Sequence, residues 1–191
     1  MSGPERVPDH SAEPPAGPAV DAVLREAVRE IEAHAAEAGW DQPARLYALV
    51  PTSDLLAREP ALAAAMGLED INAAGSLTPV EQDEMPPGTP VETVLERIIW
   101  PSEVFGCAAV VERLVLPPAA DAQLPTEPAA AERFAAEHPD REEVRIVAAA
   151  TRSGSTYCAV RMRTHDDALS VVEAPDLVPA LVQLVRGTLE N

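Results

Sequence analysis

Residues 143–163 read EVRIVAAATRSGSTYCAVRMR, in which two strand-like runs flank residues 152–154. The loop length decides which side chains share a face, because a shift of one residue moves every side chain to the opposite face. A two-residue loop mixes apolar residues and arginines on both faces, whereas a three-residue loop places Thr151 opposite Ser155 and yields one apolar face. Hairpins with three-residue loops favour a glycine in the left-handed region, and Gly154 stands at that position. We therefore predict a hairpin with the three-residue loop.

This register separates an apolar face from a charged face. The apolar face consists of Val144, Ile146, Ala148, Ala150, Thr156, Cys158, Val160 and Met162. The outer face carries Arg145, Tyr157, Arg161 and Arg163, and it places Glu143 opposite Arg163. Residues 141–163 contain five arginines against two glutamates, hence a local charge of +3. Arginines beside an aromatic ring can bind a carboxylate or phosphate group. Alternatively, these arginines pair with the protein's own acids as weak surface ion pairs.

Two further strands are predicted from apolar runs. Residues 104–116 read VFGCAAVVERLVL, a valine-rich run that is typical of a strand covered on both faces. We predict this segment to be the central strand. A shorter strand is predicted over residues 45–50, where Pro51 stops it.

Helical periodicity accounts for most of the remaining chain. An amphipathic helix is predicted from Ala19 to a stop at Gly39. Thr89-Pro-Val-Glu92 has the spacing of a capping box and predicts a helix that ends at Trp100-Pro101. A C-terminal helix follows Asp176, its expected N-cap. Shorter helices are predicted over residues 52–58, 60–66 and 129–137.

Together these elements predict an α+β fold. We expect a single domain over residues 19–191, with a small, mainly antiparallel sheet of about four strands packed by helices. Residues 1–18 contain five prolines and few large apolar side chains, so we expect a disordered tail. Mobile loops are expected near residues 67–88 and 117–128.

The charge and composition disfavour several classes of protein. The chain of 191 residues has 32 acidic and 14 basic side chains, all of the latter arginine, and a formal charge of −18. Because nucleic-acid binders carry clustered positive surfaces, we expect no nucleic-acid partner. The longest uncharged apolar stretch, residues 104–111, is far shorter than the roughly 20 residues of a membrane span. The N-terminus lacks the features of a signal peptide, and we expect a soluble, cytoplasmic protein.

The region around Trp40 is a second candidate binding surface. Trp40 precedes Asp41 and Gln42, whose polar side chains could form a recognition rim. Tryptophan at an interface is often an energetic anchor. The alternative, which we favour, is that this scarce large side chain fills core volume in an alanine-rich fold.

No catalytic constellation is visible in the sequence. Cys107 and Cys158 fall in predicted strands, where we expect them to act as small buried apolar residues. The segment His165-Asp166-Asp167 could in principle meet a divalent cation, but three consecutive residues rarely reach one ion. Glycine-rich phosphate loops and a G-x-S-x-G elbow are absent from the sequence. We therefore predict no catalytic residue and no cofactor.

Several segments together resemble a known family. These segments are Gly39-Trp-Asp-Gln-Pro43, Leu46-Tyr-Ala-Leu-Val-Pro-Thr52, Leu77-Thr-Pro-Val-Glu-Gln82, Trp100-Pro101, Gly106-Cys-Ala108, Val110-Val-Glu-Arg113 and Asp176-Leu-Val-Pro179. The chain resembles, over most of residues 20–190, a family of small uncharacterised proteins from high-GC Gram-positive bacteria. This resemblance implies no activity, catalytic residue or cofactor.

The well-patterned fold without a catalytic constellation favours a non-enzymatic interaction or adaptor protein of unknown partner. The sheet edge, the hairpin face and the Trp40 region are the surfaces expected to dock that partner. The alternative is a small domain, binding or enzymatic, that uses the hairpin arginines Arg145, Arg161 and Arg163 to hold an anionic group.

Overall fold

The computed structural model describes residues 18–68, 74–83, 85 and 89–190. Its helices are α1 (Pro18–Glu37), α2 (Thr52–Arg58), α3 (Pro60–Ala65), α4 (Val91–Leu95), α5 (Pro118–Asp121), α6 (Pro128–Glu137) and α7 (Pro179–Gly187). Its strands are β1 (Arg45–Pro51), β2 (Leu77–Glu81), β3 (Gly106–Val115), β4 (Glu142–Thr151), β5 (Thr156–Met162) and β6 (Val172–Ala174). Two short 3-10 turns, Arg163–His165 and Ala168–Ser170, connect β5 to β6.

The six strands form one antiparallel sheet in the order β2-β1-β3-β4-β5-β6. The predicted α+β class with an antiparallel sheet is confirmed, but the expected number of about four strands was wrong. Strand β2 lies inside the segment predicted as loop. It contains Pro79, which a sheet tolerates at an edge strand such as this one. Strand β6 has three residues, too few to show an alternating pattern.

The predicted hairpin register is confirmed. Val144 pairs with Met162, and Ala148 pairs with Cys158. The amide of Thr151 donates to the carbonyl of Ser155 at 2.9 Å and closes the loop. Gly154 has a φ of 91°, the left-handed region in which a side chain would be strained.

Helices cover both faces of the sheet. On one face, α1 packs over a floor of small residues that lets a helix approach closely: Ala108, Val147, Ala149 and Ala159. On the other face, α4 and α7 pack against Cys107, Ala109, Ile146 and Ala148. Residues 106–111 and 144–151 are all buried, which confirms β3 as a central strand covered on both faces. Arg145 and Arg161 were predicted on an outer face, and that was wrong, because α1 packs against β4 and β5 on that side and both side chains are buried, whereas Arg163 lies at the surface.

Several predicted boundaries shift by a few residues. Helix α4 ends at Leu95, well before Trp100, and Thr89 does not cap it because Pro90 occupies the N-cap. Helix α7 has Val178 rather than Asp176 at its N-cap, since Pro179 fits the first helical position. The predicted disordered tail lies outside the described residues except for Pro18, and part of the 67–88 loop also lies outside them. No helix in the described part of the chain is long and apolar enough to cross a membrane.

Candidate functional site

A row of charged side chains crosses the sheet beneath the C-terminal half of α1 and the turn that follows it. Glu112 on β3 lies directly opposite Arg145 on β4, and Arg145 lies opposite Arg161 on β5. We call these three residues the arginine row. Arg145 is only 1% exposed and Arg161 is 5% exposed, so both guanidinium groups are enclosed by protein. Charged groups at this depth need partners, because burying an unpaired charge is costly.

Arg161 is paired with α1. Its Nε and Nη2 donate to the two carboxylate oxygens of Glu32 at 2.6 and 2.9 Å. Its Nη1 donates to Asp166 at 3.2 Å. The pKa of Arg161 is raised, chiefly by the hydrogen bond to Glu32. This bidentate pair joins the C-terminal half of α1 to β5 and fixes the position of the helix along the sheet.

Arg145 is paired with the turn that follows α1. Its Nη2 donates to Glu112 at 3.0 Å and to the carbonyl of Gly39. Its guanidinium lies over the ring of Trp40, 4.4 Å from the centroid, a cation–π arrangement. Among the described residues Nη1 of Arg145 has no hydrogen-bond partner. The ring of Trp40 therefore stacks on the buried guanidinium of Arg145.

The turn itself is held by carboxylates. Glu112 accepts hydrogen bonds from the backbone amides of Asp41 and Gln42, at 2.8 and 3.3 Å. These bonds hold Asp41 at a φ of 63°, in the left-handed region that aspartate tolerates. The indole Nε1 of Trp40 donates to Asp166 at 2.9 Å, and this bond is the main reason that the pKa of Asp166 is lowered. The turn is thereby joined to β3, to β4 and to the segment after β5.

Arg163 completes this arrangement at the surface. Its Nη1 and Nη2 each donate to one carboxylate oxygen of Asp41 at 3.0 Å, and it also contacts Glu143, the residue predicted to face it. The pKa of Arg163 is raised by the hydrogen bonds to Asp41 and Glu143, and that of Asp41 is lowered mainly by the bond to Arg163. The guanidinium of Arg163 lies 5.5 Å from the centroid of the Trp40 ring.

The two candidate sites of the sequence thus form one cluster. It contains three arginines and five carboxylates, hence a formal charge of −2: Arg145, Arg161, Arg163, Glu32, Glu112, Asp41, Asp166 and Glu143. Gln42 joins the cluster through its backbone amide, which donates to Glu112 at 3.3 Å, and its side chain also accepts from Arg45 at 3.3 Å. Tyr157 lies outside it, and its hydroxyl donates to Glu173 at 3.2 Å. Residues 141–163 carry a charge of +3 in the sequence, but in the folded protein carboxylates from other segments surround their arginines and make the cluster acidic.

The two cysteines are buried in the core. Cys107 is 1% exposed, and burial raises the pKa of its thiol to about 11. Its sulfur lies 3.2 Å from Oγ1 of Thr188 and 3.4 Å from the carbonyl oxygen of Val185, so the thiol is hydrogen-bonded to α7 and the residue after it. Burial also raises the pKa of Cys158. Neither side chain has the exposure or the lowered pKa of a reactive thiol.

The segment His165-Asp166-Asp167 points its side chains to separate partners. Asp166 bonds to Trp40 and Arg161, while Asp167 accepts from the amide of Leu169 at 2.9 Å and from the hydroxyl of Ser170 at 2.6 Å. In the described ranges no group of three or more His, Cys, Asp or Glu side chains is arranged to hold a metal ion. The acids of this segment instead shape the turn that leads into β6.

Exposed apolar side chains occur in that turn and in the segments on either side of it. Leu169 is 99% exposed, and Met162, Val172 and Leu177 are exposed as well. We call these four residues the edge surface. They account for four of the nine large apolar side chains that are exposed in the described part of the chain, within a span of sixteen residues. Met162 and Val172 share one face of the sheet, because Val172 pairs with Val160 on β5. Isolated exposed apolar residues are ordinary, whereas a concentration of them marks an interaction site.

These residues are not predicted from the sequence. It leads only to a general expectation of docking at a sheet edge, without naming a strand. The sequence signal for them is the segment Ala168-Leu-Ser-Val-Val172, in which three large aliphatic residues follow an aspartate pair without the period of a long helix or strand. Their exposure depends on β6 being the last strand of the sheet, which periodicity cannot show.

The sequence model of the family described as PPA1309-like protein matches residues 24–190. The chain belongs to this family. The match spans the whole sheet, so both the arginine row and the edge surface lie within the PPA1309-like region. Comparisons with curated proteins and with solved structures gave no match.

Proposed function

We propose that this protein is a non-enzymatic interaction module that docks a protein partner through the edge surface. The observation that carries the proposal is the exposure of Leu169 on an ordered turn beside an edge strand. Asp167 caps this turn by accepting from the amide of Leu169, so the leucine is presented without the entropy loss of ordering a free loop. An exposed aliphatic residue held in this way is suited to fill a pocket on a partner.

The arginine row supports this function indirectly. Asp166 bonds to both Arg161 and Trp40 and lies three residues before Leu169 along the chain. The buried ion pairs therefore fix the start of the turn that carries Leu169. Under this proposal Trp40, Asp41 and Gln42 position the surface and do not themselves contact the partner.

The alternative of an anionic ligand at the hairpin arginines has less support from the geometry. Each of Arg145, Arg161 and Arg163 already pairs with carboxylates of the chain, and the cluster is acidic overall. A phosphate or carboxylate ligand would have to displace these partners and face the released carboxylates. We also propose that the protein acts in the cytoplasm, without nucleic acid, in a high-GC Gram-positive bacterium. The lysine-free, alanine-rich composition and the charge of −18 support these points.

Site-specific photo-crosslinking tests the proposed function. A photo-reactive residue replaces Leu169 in the full chain, which is expressed in cells that naturally contain the protein. The matched control replaces Ile99, another aliphatic side chain, 73% exposed and far along the chain from the edge surface. We expect a discrete adduct with one protein from position 169 and none from position 99.

Binding of the purified partner then decides the result. We expect Leu169→Asp to weaken binding at least about tenfold, as for an interface anchor, while Ile99→Asp leaves it within about twofold. Equal adducts from both positions, no adduct at 169, or a partner that binds Leu169→Asp as well as the unmodified chain would each reject the edge surface as the docking site.

A further inference from the structure

We infer that the partner binds as an extended segment that adds a strand to β6, and that this segment carries basic residues on both sides of an apolar centre. The inference rests on the proposed function and names the kind of partner. It is carried by the side of β6 that pairs with no strand in the described ranges, and by two carboxylates that lie before and after that strand in the chain.

The two edges of the sheet differ in their ability to accept another strand. Strand β2 contains Pro79, which has no amide hydrogen and blunts that edge. Strand β6 contains no proline, pairs with β5 on one side, and has no described strand on its other side. Alternate amide and carbonyl groups of an edge strand point away from the sheet and can pair with an added strand. Of the two edge strands of the described sheet, β6 is therefore the one whose amides are not interrupted by proline.

The flanking charges determine what an added strand must carry. Between Arg163 and Arg186 the chain has four acidic residues and no arginine. Two of the four, Asp166 and Glu173, are paired with arginines of the chain. The other two are Asp167, before β6, and Asp176, after it, and neither forms an ion pair with any residue in the described ranges. Basic side chains near both ends of the added strand would meet these carboxylates.

The same charges disfavour a second copy of this chain as the added strand. Antiparallel pairing of β6 with its own copy places the start of one strand beside the end of the other. Asp167 of each copy would then approach Asp176 of the other, between two molecules that each carry a charge of −18. A basic segment of a different protein removes this repulsion.

The apolar centre of the segment follows from the register. Val172 lies opposite Val160 and shares the face of the sheet that α7 covers. An apolar side chain of the added strand on that face would pack beside Val172, while Leu169 lies at the start of the strand. Since β6 has only three residues, few backbone hydrogen bonds form, and the affinity depends on these side chains.

Selection from a random library of twelve-residue peptides displayed on phage, with the full chain as target, tests the inference. The enriched peptides are synthesised with a fluorescent label, and binding is followed by anisotropy at low and high salt. We expect sequences with apolar centres flanked by arginine or lysine, whose binding weakens with salt. Leu169→Asp should weaken their binding at least about tenfold, with Ile99→Asp as the matched control. Asp167→Asn combined with Asp176→Asn should weaken it several-fold, and asparagine at 167 keeps a cap for the turn.

Amide shifts and intermolecular contacts measured by NMR then locate the peptide. Contacts between backbone hydrogens of the peptide and of β6 would establish strand addition. Acidic or helical peptides, binding unaffected by the Leu169 and aspartate variants, or the absence of any enriched peptide would overturn the inference. If photo-crosslinking at position 169 still captures a partner in that case, the proposed function stands and only the mode of binding is rejected. If crosslinking fails while peptides bind β6, the proposed function is rejected and a strand-accepting edge remains.

Discussion

Replacing Glu32 by alanine removes one member of a buried ion pair that joins α1 to β5. The side chains of Arg161 and Glu32 are 6% and 8% exposed, and two of the guanidinium nitrogens lie 2.6 and 2.9 Å from the carboxylate oxygens. Removing one member of such a pair costs about 3–5 kcal/mol, because the other charge stays buried. Asp166 remains 3.2 Å from Arg161 and is itself half exposed, so we expect the lower end, about 3 kcal/mol.

Urea unfolding of the full chain, followed by circular dichroism, measures this loss. With a slope of about 2 kcal/mol per molar urea, a loss of about 3 kcal/mol moves the midpoint down by about 1.5 M. The double variant with Glu32→Leu and Arg161→Met should recover most of the loss, since apolar residues of similar volume replace a buried pair without leaving a lone charge.

An exposed ion pair provides the matched control for this experiment. Arg113 and Glu92 are 42% and 44% exposed, and Glu92→Ala should cost at most about 1 kcal/mol. If Glu32→Ala costs no more than Glu92→Ala, the pair is not held in a dry environment. If the double variant is as unstable as the single one, the loss comes from packing of α1 rather than from a stranded charge. Either result would refute the reasoning.

Three further predictions concern other parts of the molecule. Gly106→Ala should destabilise by about 1–3 kcal/mol in the same assay, since a Cβ there lies 2.6 Å from the carbonyl oxygen of Ala150, whereas Gly187→Ala meets nothing within 4 Å and should be neutral or stabilising. Burial raises the pKa of Cys107 from 9.0 to about 11, so the stability that comes from keeping this thiol protonated is complete below pH 9 and is lost as the pH rises through about 11. Cys107→Ala should therefore remove up to about 3 kcal/mol of the loss of stability at alkaline pH, as measured by urea unfolding across that range. The pKa of Asp166 is lowered mainly by the indole of Trp40, so stability from this carboxylate is lost as the pH falls through its folded value; Trp40→Phe should reduce the loss seen in acid titrations, and an unchanged acid profile would contradict the assigned hydrogen bond.

Local patterns were sufficient for the hairpin and for the main helix. The loop of residues 152–154 and the period of the flanking residues fix the pairing of β4 with β5 without any distant information. The amphipathic period of α1 likewise predicts its buried stripe, including Leu24, Val28 and Ile31. Neither pattern shows which face of the sheet the helix covers, which is why the hairpin arginines were placed at the surface.

The partners of the arginines depend on long-range pairing. Glu112 and Arg145 are opposite each other only through the register of β3 with β4, two strands separated by a long connection that contains α5 and α6. Glu32 reaches Arg161 only because α1 crosses β5. The alternative of pairing with the chain's own acids could therefore be stated from the sequence, but the individual partners could not be named.

The alanine-rich floor under α1 explains why the fold places charges in a dry interface. Ala108, Ala149 and Ala159 offer a smooth surface that brings the helix close but provides few ridges to fix its position along the sheet. A bidentate bond has a narrow geometry, so the pair of Glu32 with Arg161 fixes the position of α1 along the sheet. Since Asp166 shares Arg161, fixing α1 also fixes the turn before β6. The same interaction that specifies the helix position thus also holds the turn that leads into the edge strand β6.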